Sequence, residues 1–236
     1  MDQFDGLRAA VTGGTSGLGL ALVRELRRRG ARVAFVARGR ARVERIAREL
    51  PGTHGIVGDV AAKDDIYPIA LQILGELGGL DLLVNNASDL GPERLQLLAD
   101  TACEDLERAL AANLVGPFRL TKALLGALAA SAREGRGAVV LNVSSDAAVN
   151  PYPTWGAYGA SKAALRHLSA IWDVELQREG VRFLSLDPGD MDTPLHKQAV
   201  PDADPATLKR PEAAAIELLD QIAAALSLPA AQESSA

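Results

Sequence analysis

Cysteine and long apolar runs are scarce in this sequence. Its 236 residues include one cysteine, Cys103, so no disulfide can form within the chain and nothing indicates an oxidising compartment. No apolar stretch approaches the roughly 18 residues that a membrane-spanning helix needs. The sequence begins MDQFD, which is acidic where a secretory signal would be basic. These absences predict a cytoplasmic protein with no membrane segment.

The sequence also lacks an excess of positive charge, since its formal net charge is -5 at pH 7. A nucleic-acid surface needs a concentrated basic field, so we expect no nucleic-acid partner. Asp190 and Asp192 lie close together, but no further acid or histidine accompanies them at metal-ligand spacing. No metal site is therefore predicted.

Short apolar runs alternate with longer segments of helical period, as expected of βαβ units around a parallel sheet. The composition, 48% hydrophobic and 23% charged, is ordinary for a globular protein, and the length suits one α/β domain spanning residues 1–236. We predict strands at residues 8–11, 32–37, 55–57, 80–84, 138–143 and 181–186. Helices are predicted at residues 18–29, 40–50, 63–77, 101–130, 155–179 and 211–226.

The segment TGGTSGLG, residues 12–19, follows the first predicted strand and begins the first predicted helix. Its glycines let the backbone approach a phosphate, while the free amides and the dipole at the helix start attract the anion. The Gly-Lys-Ser/Thr ending of a P-loop is absent, which disfavours a nucleoside triphosphate. This context favours a dinucleotide site in a doubly wound Rossmann fold over a plain strand-to-helix turn. The residues expected to hold the cofactor here are Gly13, Thr15, Ser16, Gly17, Leu18 and Gly19.

An arginine stands at the end of the second predicted strand, where NAD-binding proteins usually carry an acid for the adenosine ribose. Arg38 offers a permanent, forked cation that would bind a 2′-phosphate through charge-assisted hydrogen bonds. We therefore predict NADP(H) over NAD(H). The alternative is an exposed arginine that merely begins the next helix.

Tyr158 and Lys162 are four residues apart on one predicted helix, so their side chains share a face. A free phenol has a pKa of about 10, and a nearby ammonium is expected to lower the pKa of Tyr158 by roughly 1–3 units. Acid–base chemistry at physiological pH would then be feasible. This spacing also occurs on many exposed helices. We interpret the pair as catalytic because the glycine-rich turn accompanies it in the same sequence.

Further motifs follow in order along the chain: Asp59-Val60, Asn85-Asn86-Ala87, Asn113, Ser145, and Pro188-Gly189 with Thr193. Together with the TGxxxGxG turn and the YxxxK pair, they resemble the short-chain dehydrogenase/reductase family over residues 7–193. The resemblance extends over most of the chain and involves separate motifs in the right order.

The resemblance implies roles for individual residues. Ser145 would hold the substrate oxygen, Tyr158 would exchange the proton, and Lys162 would bind the nicotinamide ribose. Asn113 would anchor a water that relays protons to Lys162. The other cofactor contacts that the family implies are Asp59, Val60, Asn86, Ala87, Pro188, Gly189, Met191 and Thr193, in addition to Tyr158 and Lys162 themselves.

Two features depart from the family pattern. Ser88 stands where the family usually has glycine, so the loop there must accommodate a Cβ atom. The family's usual seventh strand, which closes with a Val-Asp-Gly-Gly-like turn, has no counterpart after Leu226. We therefore predict six strands and a homodimer formed by the long helices at residues 101–130 and 155–179. We also predict a substrate lid at about residues 194–210 and a disordered tail at residues 228–236.

The combined pattern predicts NADPH-dependent reduction of a small-molecule carbonyl to an alcohol, or the reverse oxidation, with Tyr158 as general acid or base. One alternative is a non-catalytic NADP-binding sensor or regulator. Another is an epimerase or dehydratase that keeps its cofactor between turnovers. Fold alone does not fix the substrate.

Overall fold

A single parallel sheet organises the chain. The computed structural model describes residues 2–227, and the predicted tail at residues 228–236 lies outside them. The six strands are β1 (Arg8–Thr12), β2 (Arg32–Ala37), β3 (Thr53–Val57), β4 (Leu82–Asn85), β5 (Ala138–Val143) and β6 (Val181–Leu186). Their order is β3-β2-β1-β4-β5-β6, and all neighbours are parallel. The order changes direction between β1 and β4, so ligands are expected at the carboxyl ends of those strands.

Helices cover both faces of the sheet, which confirms the predicted doubly wound fold of six strands. No seventh strand is present among residues 2–227. The helices are α1 (Gly17–Arg28), α2 (Arg40–Glu49), α3 (Ile66–Leu77), α4 (Cys103–Leu110), α5 (Gly116–Arg133), α6 (Gly156–Leu176), α7 (Pro194–Ala199) and α8 (Pro211–Leu226). Within the same residues, no helix is both long enough and apolar enough to cross a membrane.

Alternate residues of each strand enter two separate cores, because successive side chains of a strand point to opposite faces. On β1, Ala9 and Val11 pack with apolar residues of α1, α2 and α8. Ala10, between them, packs with residues of α3 and α5 on the other face. The sheet is thus buried on both sides, and its carboxyl edge is left to form a site.

The fourth predicted helix, residues 101–130, is interrupted in the structure. A π-helical turn, Ala111–Val115, separates α4 from α5. Pro117 lies in the first turn of α5 and has no N–H to donate to the carbonyl four residues earlier, so a regular α-helix cannot run through this point. A Cβ on Gly116 would lie 2.5 Å from the carbonyl oxygen of Val60, which explains the glycine there.

A buried ion cluster ties the amino edge of the sheet together. Asp81, which precedes β4, is 0% exposed and accepts hydrogen bonds from the guanidinium groups of Arg8 and Arg136. The backbone N–H of Arg8 and the hydroxyl of Ser131 also donate to it. Burial alone would raise the pKa of Asp81, but these hydrogen bonds outweigh it and lower that pKa to about 2.

Candidate active site

The glycine-rich turn joins β1 to α1 and is fastened to the loop after β4. Gly13 has a φ of 70°, and a Cβ on Gly19 would lie 2.3 Å from the carbonyl oxygen of Gly13. The hydroxyl of Thr12 accepts hydrogen bonds of 3.0 Å from the backbone N–H groups of Asn86 and Ala87. No side chain caps α1, so backbone N–H groups at its start are available to an anionic ligand.

A cleft of about 1110 Å³ opens at the carboxyl edge of the sheet, between this turn and α6. Every residue predicted to contact the cofactor lines it, although these residues are distant in sequence. They are Gly13, Thr15, Ser16, Gly17, Leu18, Gly19, Arg38, Asp59, Val60, Asn86, Ala87, Tyr158, Lys162, Pro188, Gly189, Met191 and Thr193. Ser145 also lines the cleft, whereas the fully buried Asn113 does not.

Arginines border one end of the cleft. Arg38 directly follows β2, and Arg40 and Arg42 follow it on the first turn of α2. All three are exposed, and no side chain caps the start of α2. On the adjacent loop, one carboxylate oxygen of Asp59 accepts a 2.9 Å bond from the N–H of Ala61. This end therefore presents positive charge and open backbone donors.

Ser145, Tyr158 and Lys162 meet at the opposite end. Ser145 follows β5, and its hydroxyl, which donates a 3.2 Å hydrogen bond to the carboxylate of Asp146, lines the cleft together with Tyr158 of α6. Lys162, one turn further along α6, donates a 2.8 Å hydrogen bond to the carbonyl of Val143. Its ammonium lies 5.6 Å from the centre of the Tyr158 ring. The structure thus brings three of the four predicted catalytic side chains together at the cleft, and Asn113 is the one that does not line it.

The pKa of Tyr158 is shifted in the direction opposite to the one expected. Burial raises the pKa of Tyr158 to about 12, and the nearby hydroxyls of Ser145 and Ser88 lower it only in part. Burial also lowers the pKa of Lys162 to about 8. Spacing on a helix predicted proximity of the two groups, but not the desolvation that dominates here. At pH 7 the phenol keeps its proton and the ammonium its charge, so the pair can act as a proton donor.

Asn113 lies beneath the cleft in the π-helical turn. Its amide oxygen accepts hydrogen bonds from the hydroxyl of Ser88 (3.1 Å) and the N–H of Asp89 (2.8 Å). Its amide nitrogen donates to the carbonyl of Asp89 (2.7 Å) and to the hydroxyl of Ser161 (2.8 Å). The side chain therefore anchors the loop after β4 to α6. The water relay implied by the family resemblance stays a prediction.

A family model described as "short chain dehydrogenase" matches residues 8–204 of this chain. The chain belongs to the short-chain dehydrogenase family. Its relatives include L-fucose dehydrogenase of Mus musculus, 32% identical over 204 residues, which cover 86% of this chain and 72% of the relative. An uncharacterized oxidoreductase of Mycobacterium bovis is 32% identical over 201 residues, covering 82% of this chain but 58% of that protein.

Solved structures of family members superpose closely on this fold. A 3-ketoacyl-(acyl-carrier-protein) reductase from Brucella melitensis, complexed with NADH, has a TM-score of 0.88 at 27% identity, covering 96% of this chain and 95% of the reductase. A variant of actinorhodin polyketide ketoreductase with NADPH has a TM-score of 0.83 at 25% identity, covering 97% and 94%. Structures similar to this chain thus contain either nicotinamide cofactor.

Apolar side chains surround the end of the cleft that holds Tyr158. Trp155 meets the Tyr158 ring edge-on at 5.7 Å, and Leu90 and Leu195 pack beside them. Leu195 belongs to α7, which begins the predicted lid; whether that segment moves stays a prediction. The sequence analysis did not place Leu90 at the site, because the only indication was an apolar residue within a polar loop. The hydrogen bond of Ser88 to Asn113 was also missed, although the serine itself departs from the family pattern.

Proposed function

We propose that this protein reduces a carbonyl compound to an alcohol with NADPH, and that Tyr158 supplies the proton. The observation that carries the proposal is that Ser145, Tyr158 and Lys162 line the same cleft, with the Lys162 ammonium 5.6 Å from the centre of the Tyr158 ring. Family membership supports an oxidoreductase that uses a nicotinamide cofactor. The matched region spans 58% of the length of the mycobacterial relative. The activity proposed for the whole protein is therefore inferred from this site and not from that relative.

The cleft has the features that a dinucleotide requires. Side chains are disfavoured at two glycines of the turn, which have φ values of 70° and 50°: a Cβ on Gly13 would lie 2.8 Å from Asn86, and one on Gly17 would lie 3.1 Å from Thr193. The uncapped start of α1 would bind the pyrophosphate, and the remaining oxygen of Asp59 would accept a hydrogen bond from the adenine. Bound NADPH would supply the hydride for the substrate carbon.

The side chains of this chain would handle the proton and the developing charge. As the substrate oxygen becomes negative, the Ser145 hydroxyl donates a hydrogen bond to it and Tyr158 transfers its proton to it. The Lys162 ammonium, 5.6 Å from the phenol ring centre, stabilises the phenolate that remains. Leu90 and Trp155 keep water from this end of the cleft, which strengthens these electrostatic interactions.

The preference for NADPH is proposed to rest on Arg38. We expect Arg38→Ala to lower the ratio of kcat/KM for NADPH to that for NADH by about ten- to hundred-fold, since a charge-assisted bond contributes roughly 1.5–3 kcal/mol. Arg45→Ala is the matched control, because Arg45 is equally exposed on α2 but pairs with Glu49 outside the cleft. A wild-type protein that prefers NADH would contradict the proposal.

A homodimer through the long helices is part of the proposal. Phe118 on α5 and Ile171 and Val174 on α6 leave apolar surface exposed, by 36%, 42% and 68%. Such a surface suits pairing of the two helices with those of a second copy.

Val174→Glu places a charge in this surface and is expected to raise the dimer dissociation constant at least about tenfold. Light scattering across a concentration series measures it. Leu71→Glu, a change of the same kind at an equally exposed position of α3, should leave the mass unchanged. A wild-type monomer at micromolar concentration would refute the dimer.

Incubation with NADPH and a panel of aldehydes and ketones tests the function. The expected result is loss of NADPH matched by alcohol formation and release of NADP+ at each cycle. If NADPH binds but is not consumed with any of the carbonyl compounds, the result would favour a non-catalytic NADP-binding sensor or regulator instead. Rearranged or dehydrated product with no net consumption of NADPH would favour the epimerase or dehydratase.

A further inference from the structure

The carboxylate of Asp146 lies directly beside the hydroxyl that is proposed to bind the substrate. Asp146 follows Ser145 in the chain, begins the short helical turn Asp146–Ala148 and lines the cleft. The hydroxyl of Ser145 donates a 3.2 Å hydrogen bond to Oδ1 of Asp146. The other carboxylate oxygen, Oδ2, accepts a 2.7 Å bond from the hydroxyl of Tyr152. Oδ1 is therefore the carboxylate oxygen next to the place where a substrate oxygen would bind.

The hydrogen of the Ser145 hydroxyl has two competing uses. A serine hydroxyl carries one hydrogen, and here that hydrogen goes to Asp146, because a carboxylate can only accept. The serine oxygen meanwhile accepts a 3.2 Å bond from the N–H of Ala147. To hold a substrate oxygen, Ser145 must turn its hydrogen away from the carboxylate. Oδ1 of Asp146 then lacks this donor unless the substrate supplies another.

Backbone hydrogen bonds hold the turn that carries the carboxylate. The carbonyl oxygen of Asp146 accepts bonds of 2.9 Å from the N–H groups of Val149 and Asn150. The hydroxyl of Ser145 caps the same turn by accepting from Ala147. Ser145 Oγ and Asp146 Oδ1 thus form a pair of binding atoms, one donor and one acceptor, that lie 3.2 Å apart on one hydrogen-bonded turn.

Other charges at this end of the cleft are occupied differently. The carboxylate of Asp89 lies 3.5 Å from the guanidinium of Arg108, and that of Asp187 accepts a 2.9 Å bond from the N–H of Gly189. Among the carboxylates that line the cleft in the described part of the chain, only that of Asp146 is bonded to the serine hydroxyl. A negatively charged substrate group would be repelled here, whereas a neutral donor would find an acceptor.

We propose that Asp146 selects carbonyl compounds that carry a hydroxyl group on the carbon next to the carbonyl. The inference rests on the proposed function, in which Ser145 binds the substrate oxygen. The substrate hydroxyl donates to Oδ1 of Asp146 in place of the serine, and the serine hydrogen turns to the carbonyl oxygen. The 3.2 Å between the two protein oxygens suits two substrate oxygens on neighbouring carbons, which are themselves about one hydrogen-bond length apart. A ketone without the hydroxyl leaves Oδ1 without that donor.

Matched aryl ketones, reduced by the wild-type protein with NADPH, test this selection. Acetophenone offers only the carbonyl and a ring for the apolar wall of Leu90 and Trp155. α-Hydroxyacetophenone adds the donor, α-methoxyacetophenone keeps the oxygen but cannot donate, and phenylglyoxylate has a carboxylate in its place. We expect kcat/KM for the hydroxy compound to exceed that for the methoxy compound by at least about tenfold, the contribution of one hydrogen bond to a charged group. Phenylglyoxylate should be reduced least efficiently, because its charge is repelled.

Asp146→Ala is expected to lower the hydroxy-to-methoxy ratio of kcat/KM by about tenfold and to raise kcat/KM for phenylglyoxylate several-fold. Acetophenone should lose nothing, since Ser145 no longer has to leave a carboxylate. Asp190→Ala is the matched control, because it removes another carboxylate that lines the cleft, 80% exposed, and should leave the ratio unchanged. An unchanged ratio in Asp146→Ala, or an equal loss with all four ketones, would overturn the proposal.

A binding measurement separates this proposal from the proposed function. Ligand-observed NMR of the complex with NADP+ gives the dissociation constants of α-hydroxyacetophenone and α-methoxyacetophenone without turnover. If Asp146→Ala weakens binding of the hydroxy compound alone while neither protein reduces any ketone, the proposed function fails and the role of Asp146 stands. If both proteins reduce the ketones with the same ratio, the role of Asp146 fails and the function stands. Equal binding in the two proteins without reduction would overturn both.

Discussion

Replacing Tyr158 by phenylalanine is expected to lower kcat for carbonyl reduction by about 10²- to 10⁴-fold, the range that a positioned general acid contributes. The ring would keep its edge-on contact with Trp155, so the wall of the cleft would be preserved. Only the phenol hydroxyl, and with it the proton donor, would be lost. The affinity for NADPH, measured separately by equilibrium titration, should therefore change little. Steady-state kinetics at saturating NADPH measures the loss.

Tyr152 provides the matched control for this substitution. It is a second phenol near the cleft, but it is 44% exposed and donates a 2.7 Å hydrogen bond to Asp146 rather than contacting Ser145. Tyr152→Phe should leave kcat close to that of the wild type. A Tyr158→Phe variant that turns over as fast as Tyr152→Phe would remove Tyr158 from the mechanism.

The second large effect concerns stability. Asp81→Asn is expected to lower the free energy of unfolding by up to about 3–5 kcal/mol, because it removes the buried charge that pairs with the guanidinium groups of Arg8, 14% exposed, and Arg136, 41% exposed. Arg8 and Arg136 both donate to this carboxylate, and its side chain is 0% exposed. Urea denaturation followed by circular dichroism measures the change. Glu44→Gln removes an exposed pair at 3.9 Å and should cost less than about 1 kcal/mol.

The same carboxylate predicts how stability depends on pH. The pKa of Asp81 is lowered from 3.8 to about 2 by its hydrogen bonds, so its contribution is complete above pH 3.8 and is lost as the pH falls through 2. The wild type should therefore lose stability over this acidic window more steeply than Asp81→Asn does. Equal losses in the two proteins, or an unchanged midpoint in urea, would show that the cluster does not stabilise the fold.

The periodicity of apolar residues and the residue types at the turns were sufficient to predict the architecture. Buried parallel strands have the sequence pattern of short apolar runs, so the six strands were predictable. The glycines of residues 12–19 mark a turn in which a Cβ atom would clash, so the position of the cleft was predictable as well. The interruption at Ala111–Val115 was missed because a helical pattern continues across it. Pro117 was its one local sign. The π-helical turn matters for the site, since it carries Asn113 beneath the loop after β4.

The pKa values of the side chains at the site could not be predicted from the sequence. Spacing placed Tyr158 and Lys162 on one face of α6, and this was correct, but the pKa of each depends on burial by β5, α7 and the loop after β4. Those elements are distant in sequence. Ser88 shows the same limit: its departure from the family pattern was visible, whereas its hydrogen bond to Asn113 follows only from the folded loop.

The most direct test of the account follows the hydride itself. Wild-type protein would be incubated with a carbonyl substrate and NADPH in which both hydrogens of the reactive ring carbon are replaced by deuterium, and the alcohol would be analysed by mass spectrometry. The account predicts one deuterium bound to the former carbonyl carbon in the wild-type product, and almost no alcohol from Tyr158→Phe. Alcohol without deuterium, or no alcohol from any carbonyl compound although NADPH binds, would contradict it.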